Sequence, residues 1–237
     1  MSEVENMLAS GVCQSGKWAN QIGTLHRGGA TRWSSHYDSA RNLIDMYEAS
    51  CVVVESLKKS TNQKIRGKAI GVYKVMKSFE FIFVLHLMDN ILEIVNTLCQ
   101  ALQQKTQDIL NVMKLVSTTK ALLQKLRQDD WDIFLANVVS FCNRHNIVVH
   151  DMSSPYEEGT SHRRQQDHIT IEHHYHFDIF NSIIDFQLME LEHRFNDRVV
   201  ELPSLNSALD PSGNFISFNV DNICNLVEKF YPQDFTS

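Results

Sequence analysis

Between Gly71 and Pro155 the chain contains neither glycine nor proline, and no proline at all precedes Pro155. A stretch that long without a backbone breaker, rich in Leu, Val, Lys and Gln, admits little besides helices. The hydrophobic spacing agrees. Phe81, Val84, Met88, Ile91, Val95, Leu98 and Leu102 alternate steps of three and four, and Leu85, Leu92 and Cys99 widen the stripe. Ile109, Val112, Met113, Val116, Leu122, Leu123 and Leu126 repeat the habit in another phase, so a second helix is expected from about Asp108. The stripe is broader than a strict heptad seam, which favours packing inside the chain over a coiled-coil partner.

Upstream, Ala40, Leu43, Ile44, Tyr47, Cys51, Val54 and Leu57 mark one amphipathic helix ending near "KKSTNQK", and a short helix is expected around Lys68 to Met76. Downstream, "DDWDIFLANVVSFCNRH" opens with acidic residues, which favour a helix N-terminus, and turns Trp131, Phe134, Leu135, Val138 and Phe141 inward. Residues 149–168 are polar and bring the first proline, the composition of a mobile loop. Phe180, Ile184, Leu188, Leu191 and Phe195 then share one helix face, and a terminal helix runs roughly from Val220 to Phe230. The fold class read from these patterns is all-α, a helical bundle.

A net charge of −6 and a pI near 6.0 argue against a whole-surface grip on nucleic acid, though not against a local basic patch. Five cysteines without a C-x-x-C pair suit a reduced compartment, with thiols packed as small hydrophobes. Met1 to Gly11 lacks the apolar run of a signal peptide. The apolar stretch from Phe81 is interrupted by His86, Asp89, Asn90 and Glu93, too polar to cross a membrane. An intracellular, soluble protein with no membrane partner is the expectation.

Candidate chemistry is sparse. His162, His168, His173, His174 and His176 cluster late, and His173 and His176 share a helix face. No cysteine or acidic pair stands nearby at zinc spacing, so histidines flanking a loop account for them better than a metal site. Cys142 and His145 form a C-x-x-H, half a zinc site at most, and Cys142 belongs with the core residues Val138 and Phe141. No phosphate-binding glycine loop and no nucleophile elbow occurs. Arg163 and Arg164 are weak candidates for phosphate contact: two charges fall short of what nucleic-acid binding needs, and a solvated loop is the weightier reading. No metal ligand and no cofactor is expected in this chain.

The stretch "GGATRWSSHYDSARNLI", Gly28 to Ile44, sets an arginine and a tryptophan at a loop–helix junction. Such a pair suits contact with nucleic acid. Equally, Ser34 or Ser35 would cap the helix and Trp33 would plug it against the bundle. "TRWSSHYDS" resembles the Thr-Arg-Trp-Asn/Ser-Ser signature of hAT-superfamily DNA transposases and of host proteins derived from them. "FVLHLMDNILEIVNTLCQALQQKTQDILNVMKLVSTTKALLQKLR", "ITIEHHYHFDIFNSIIDFQLMELEHRFND" and "SALDPSGNFISFNVDNICNLVEKFYPQDF" are similar to one plant-rich subgroup, described as MYM-type, TTF-type or general-transcription-factor-related zinc-finger proteins. The likeness runs from about Gly16 to Phe235.

In that family a ribonuclease H-like core holds three carboxylates for a divalent metal such as magnesium, and a helical insertion interrupts the core. The Arg-Trp pair stands near the start of the insertion, its tryptophan implicated in stacking on a flipped or hairpinned DNA end. The resemblance therefore implies that Arg32 and Trp33 are DNA-contact residues and that the protein is nuclear. It implies a remnant of the core over 1–34, an insertion domain over 35–148 and 169–237, and a loop between. It further implies a fragment lacking the zinc finger, the catalytic aspartates and the C-terminal dimerisation region, hence no enzyme. Homo-oligomers or a protein partner bound through exposed helices form the competing expectation, and a non-functional truncated gene product a third.

Overall fold

The computed structural model describes residues 33–103, 109–156, 169–195 and 218–230. One helix organises the rest. Helix α4 (Phe79–Leu102) is packed by α1 (Trp33–Asp45), α3 (Gln63–Met76), α5 (Ile109–Asp129) and α6 (Trp131–Arg144). Helix α2 (Tyr47–Leu57) joins α1 to α3. A later helical run comprises α7 (Ile171–His173), a π-helical stretch (His174–Asn181) and α8 (Ser182–Arg194), and α9 (Val220–Phe230) buries Leu226. Most of the described residues are helical and none forms a strand; the β-structure among them is a single isolated antiparallel bridge between Pro155 and Thr170.

Ser78 starts α4, its hydroxyl accepting the Phe81 N–H at 3.3 Å. From there the helix is apolar almost all round, because neighbours cover it on several sides. Ile82, Phe83 and Leu87 are fully buried, each contributing roughly 1.5–3 kcal/mol by leaving water. Phe83 meets Phe134 edge-on at 5.1 Å and Tyr175 at 4.8 Å, which ties α6 and the π-helical stretch to the same core. By length and composition α4 would suffice to cross a membrane, against the expectation from its sequence; half of that apolar window is buried by the other helices.

The inward face of α4 differs from the simple stripe in its first half. Ile82, Phe83 and Leu87 are buried, whereas Val84 and Met88 are each 37% exposed. Past Ile91 the stripe holds, with Val95 and Leu98 buried, until Leu102 at its end, which is exposed. A helix apolar on most sides has no unique phase, so burial follows the neighbours. In α5, Val116, Leu123 and Leu126 are buried and Leu122 is exposed. In α6, Trp131, Phe134, Val138 and Phe141 are buried, as is the Cys142 side chain.

The single amphipathic helix expected from Ala40 to Leu57 is bent at Met46, which divides α1 from α2. Immediately after the bend Tyr47 enters the core, where its hydroxyl donates to the Met76 carbonyl at 2.7 Å. Helix α3 starts at Gln63, earlier than expected, because Asn62 caps it: the side-chain oxygen accepts from Lys64 N at 3.0 Å and Ile65 N at 3.3 Å.

Helices α5 and α8 run antiparallel, with Lys120 paired to Glu192 and Arg127 to Asp185 two turns apart on both helices. The chain from Val149 to Tyr156 is anchored rather than loose. Asp151 accepts from Ser153 and Ser154, Val149 and Met152 pack on the core, and the Tyr156 N–H donates to the Ile169 carbonyl at 2.9 Å. The remainder of the expected loop, 157–168, lies outside the described residues.

Candidate nucleic-acid interface

Trp33 is the first residue of α1, so the helix is already under way where Ser34 or Ser35 was expected to cap it. The Ser35 carbonyl instead accepts the Ser39 hydroxyl at 2.6 Å inside the helix. Arg32 lies outside the described residues, and of Trp33 only the backbone is described. Helix α1 lies antiparallel along α4: Arg41 reaches Asp89 and Glu93, each at 3.2 Å, while Tyr47 beyond the bend reaches Met76. Two turns back from Arg41, Trp33 therefore stands about 12 Å further toward the C-terminal half of α4. Arg163 and Arg164, with His162 and His168, lie outside the described residues.

The α1–α4 seam holds two strongly perturbed ionisable groups. Asp89 is buried, with one oxygen on Arg41 and the other lacking a hydrogen-bond partner; burial pushes its carboxyl up to about 6 despite the arginine. His86, one turn earlier, contacts the Phe141 ring at 4.8 Å with Nε2 unpartnered, and burial, with a smaller push from Arg41, holds it down at about 4. A carboxyl near 6 could exchange protons, but here the guanidinium covers its accessible oxygen, and the arrangement secures α1 to α4. Among the described residues no three His, Cys, Asp or Glu gather where a metal ion could sit.

The late histidines are built into aromatic packing. His176 stacks on Trp131 at 4.1 Å with planes 2° apart, and His174 stacks on Tyr156 at 3.9 Å while its Nδ1 meets Asp178 at 3.1 Å. The π-helical stretch makes this arrangement: Tyr175 and Phe180, five residues apart, are both buried, a spacing that i→i+5 winding aligns and an α-helix would splay. His173 has swung toward Phe177 at 4.7 Å.

An apolar cleft of about 360 Å³ opens between Val95, Leu98 and Leu102 of α4 and Phe186 of α8 with Phe195 just past its end, and Glu190 and Arg194 pair beside it.

The feature that motif reading passed over is α3 with the turn before it. From Lys58 to Lys77 the chain carries seven lysines and arginines and no acidic residue. Two point inward: Lys58 lies 3.6 Å from the Tyr73 ring centroid and pairs with Glu55, and Lys77 donates to the His145 carbonyl at 2.9 Å. The other five, Lys59, Lys64, Arg66, Lys68 and Lys74, are exposed and have no ion-pair partner among the described residues. In the sequence the signal is a run of one sign without a compensating acid, but its first part, "KKSTNQK", also has the composition of a helix end.

Comparison with protein-family models, with curated proteins and with solved structures finds no match for this chain.

Proposed function

We propose that this chain is the DNA-contacting helical part of an hAT-transposase-like protein, in which Arg32 and Trp33 meet a DNA end. The observation that carries this reading is that α1 begins at Trp33, the last residue of the Thr-Arg-Trp signature, and that helices without strands follow it among the described residues, as they would in the family's helical insertion. An aromatic side chain there suits an unpaired base of any sequence, since every base presents a stacking face. On this reading the chain supplies binding, not chemistry, any divalent metal belongs to a ribonuclease H-like core, and the protein works in the nucleus.

The test is binding of hairpin and single-stranded ends by Trp33→Ala. Loss of a stacked base should weaken binding by roughly 1–3 kcal/mol, about a 5- to 150-fold change. Equal binding by variant and parent sinks the proposal. A second reading, a protein-interaction module, draws on the apolar cleft between α4 and α8 and the exposed Phe186 beside it. A light-scattering mass above that of one chain, unaffected by DNA, would favour it.

A further inference from the structure

We propose that the α2–α3 hairpin is a binding surface for the phosphodiester backbone of nucleic acid, held by Lys59, Lys64, Lys68 and Lys74 with Arg66 on its flank. The proposal takes its choice of partner from the nucleic-acid reading above, but its residues, and the part of the bundle that carries them, are different.

Lys64, Gly67, Lys68, Gly71 and Lys74 follow helical spacing and form one outward ridge, opposite the buried Ala69 and Met76. From Lys64 to Lys74 the ridge spans about 15 Å, the rise along the duplex axis of about four phosphates of one strand. None of the five cations is used within the described fold, in contrast to Arg41, Lys120, Lys125, Arg127 and Arg194, each of which meets a carboxylate. Glu55, the acid closest before the run, is already engaged by Lys58. In a chain of net charge −6, such a concentration selects a polyanion for one face and repels it elsewhere.

The two glycines favour a backbone that comes close. A methyl group at Gly67 or Gly71 would meet nothing within 4 Å, so the fold itself does not require either to be bare. Between the cations they lower the ridge, letting a phosphate approach the helix. A membrane surface fits less well. It asks for a broad continuous apolar face turned outward, whereas the exposed apolar residues of α3, Ile65, Ile70, Val72 and Val75, are interspersed with its lysines. By helical spacing Val75 stands on the ridge between Lys64 and Lys68, with Val72 and Ile65 along one side of it and Ile70 on the other.

The experiment measures binding of the whole chain to a short blunt duplex, to a hairpin with a single-stranded end, and to phosphatidylcholine vesicles containing phosphatidylserine. The parent is compared with Lys64→Gln/Lys68→Gln/Lys74→Gln, with the matching triple arginine variant, and with Trp33→Ala. Five neutralised phosphates predict about a 500-fold loss of duplex affinity between 50 and 200 mM salt, and the triple glutamine variant about a 12-fold loss. The arginine variant should behave as the parent. Circular dichroism and melting verify that the substituted surface remains folded. Duplex binding with an unchanged salt slope in the glutamine variant overturns the proposal, whatever Trp33→Ala does. Vesicle binding without duplex binding by the parent overturns it in favour of a membrane. Loss of hairpin preference in Trp33→Ala with duplex affinity intact leaves this surface standing, and a Trp33→Ala without effect removes only the end-contact reading.

Discussion

Helices α3 and α4 are separated by two residues and live under opposite rules. Of the fourteen residues of α3 only Ala69 and Met76 are buried, while α4 buries eleven of its twenty-four, one of them charged. Helix α4 exists because its neighbours need its surface: Phe83 alone touches three aromatic rings from α6 and the π-helical stretch. Helix α3 exists because Asn62 caps it and because its last turn is tied down by Tyr47 on the Met76 carbonyl and by Lys77 on the His145 carbonyl. A helix held by its cap, its last turn and one face against α2 is free to commit its exposed face to something outside the fold, and it should open locally at lower free energy than the core.

The largest test of that contrast is Phe83→Ala, which should cost about 3–5 kcal/mol in urea unfolding by removing a fully buried ring from the centre of the bundle. A cost near that of a surface change would mean that α4 is not the organising element.

The next concerns the charges sealed against α4. Asp89 stands at about 6 in the folded chain against 3.8 ordinarily, so the folded state binds the extra proton between those values. Its stabilising contribution is present below about 4 and lost as pH rises through 6. His86 stands at about 4 against 6.5, so the unfolded chain binds the extra proton, and that contribution is lost as pH falls through 4. The two slopes oppose each other across the same window. Asp89→Asn should leave the histidine slope uncompensated: on acidification from about pH 6.5 to 4 the variant should lose roughly 2 kcal/mol more than the parent. Parallel stability curves would show that the carboxyl is ionised throughout.

The smallest effect, opposite in sign, belongs to α3. Gly71→Ala should raise stability by about 0.8–1 kcal/mol, read as a higher melting temperature, since the helix loses a flexible residue and the new methyl group meets open space. The same substitution should weaken duplex binding if the ridge lies close to phosphate. Lower stability would show that α3 is packed by something at Gly71.

What could be read from the sequence follows the same division. Helices with a single buried face were legible in place and phase: α6 presents Trp131, Phe134, Val138 and Phe141 as their spacing predicts, and α8 presents Ile184 and Leu191. In the first half of α4 the phase was not legible, because Val84 and Ile82 are equally apolar and only the neighbouring helices decide between them. The bend at Met46 leaves no glycine or proline to announce it. Tyr175 and Phe180 carried a five-residue spacing that a search for steps of three and four passes over. For the interface, the Arg-Trp pair was visible as a motif, whereas the α3 ridge is a matter of which cations find a partner, and pairing is decided in three dimensions.

The π-helical stretch His174–Asn181 takes up more chain per turn than the helices on either side of it. Deleting one residue there would let ordinary α-helix run through with the segments on either side kept nearly in phase, because the wider turn has already absorbed the additional residue. The segment thus acts as a buffer on length: descendants of such a chain could lose one residue there, keep every helix, and exchange the Tyr175–Phe180 spacing for an ordinary helical one.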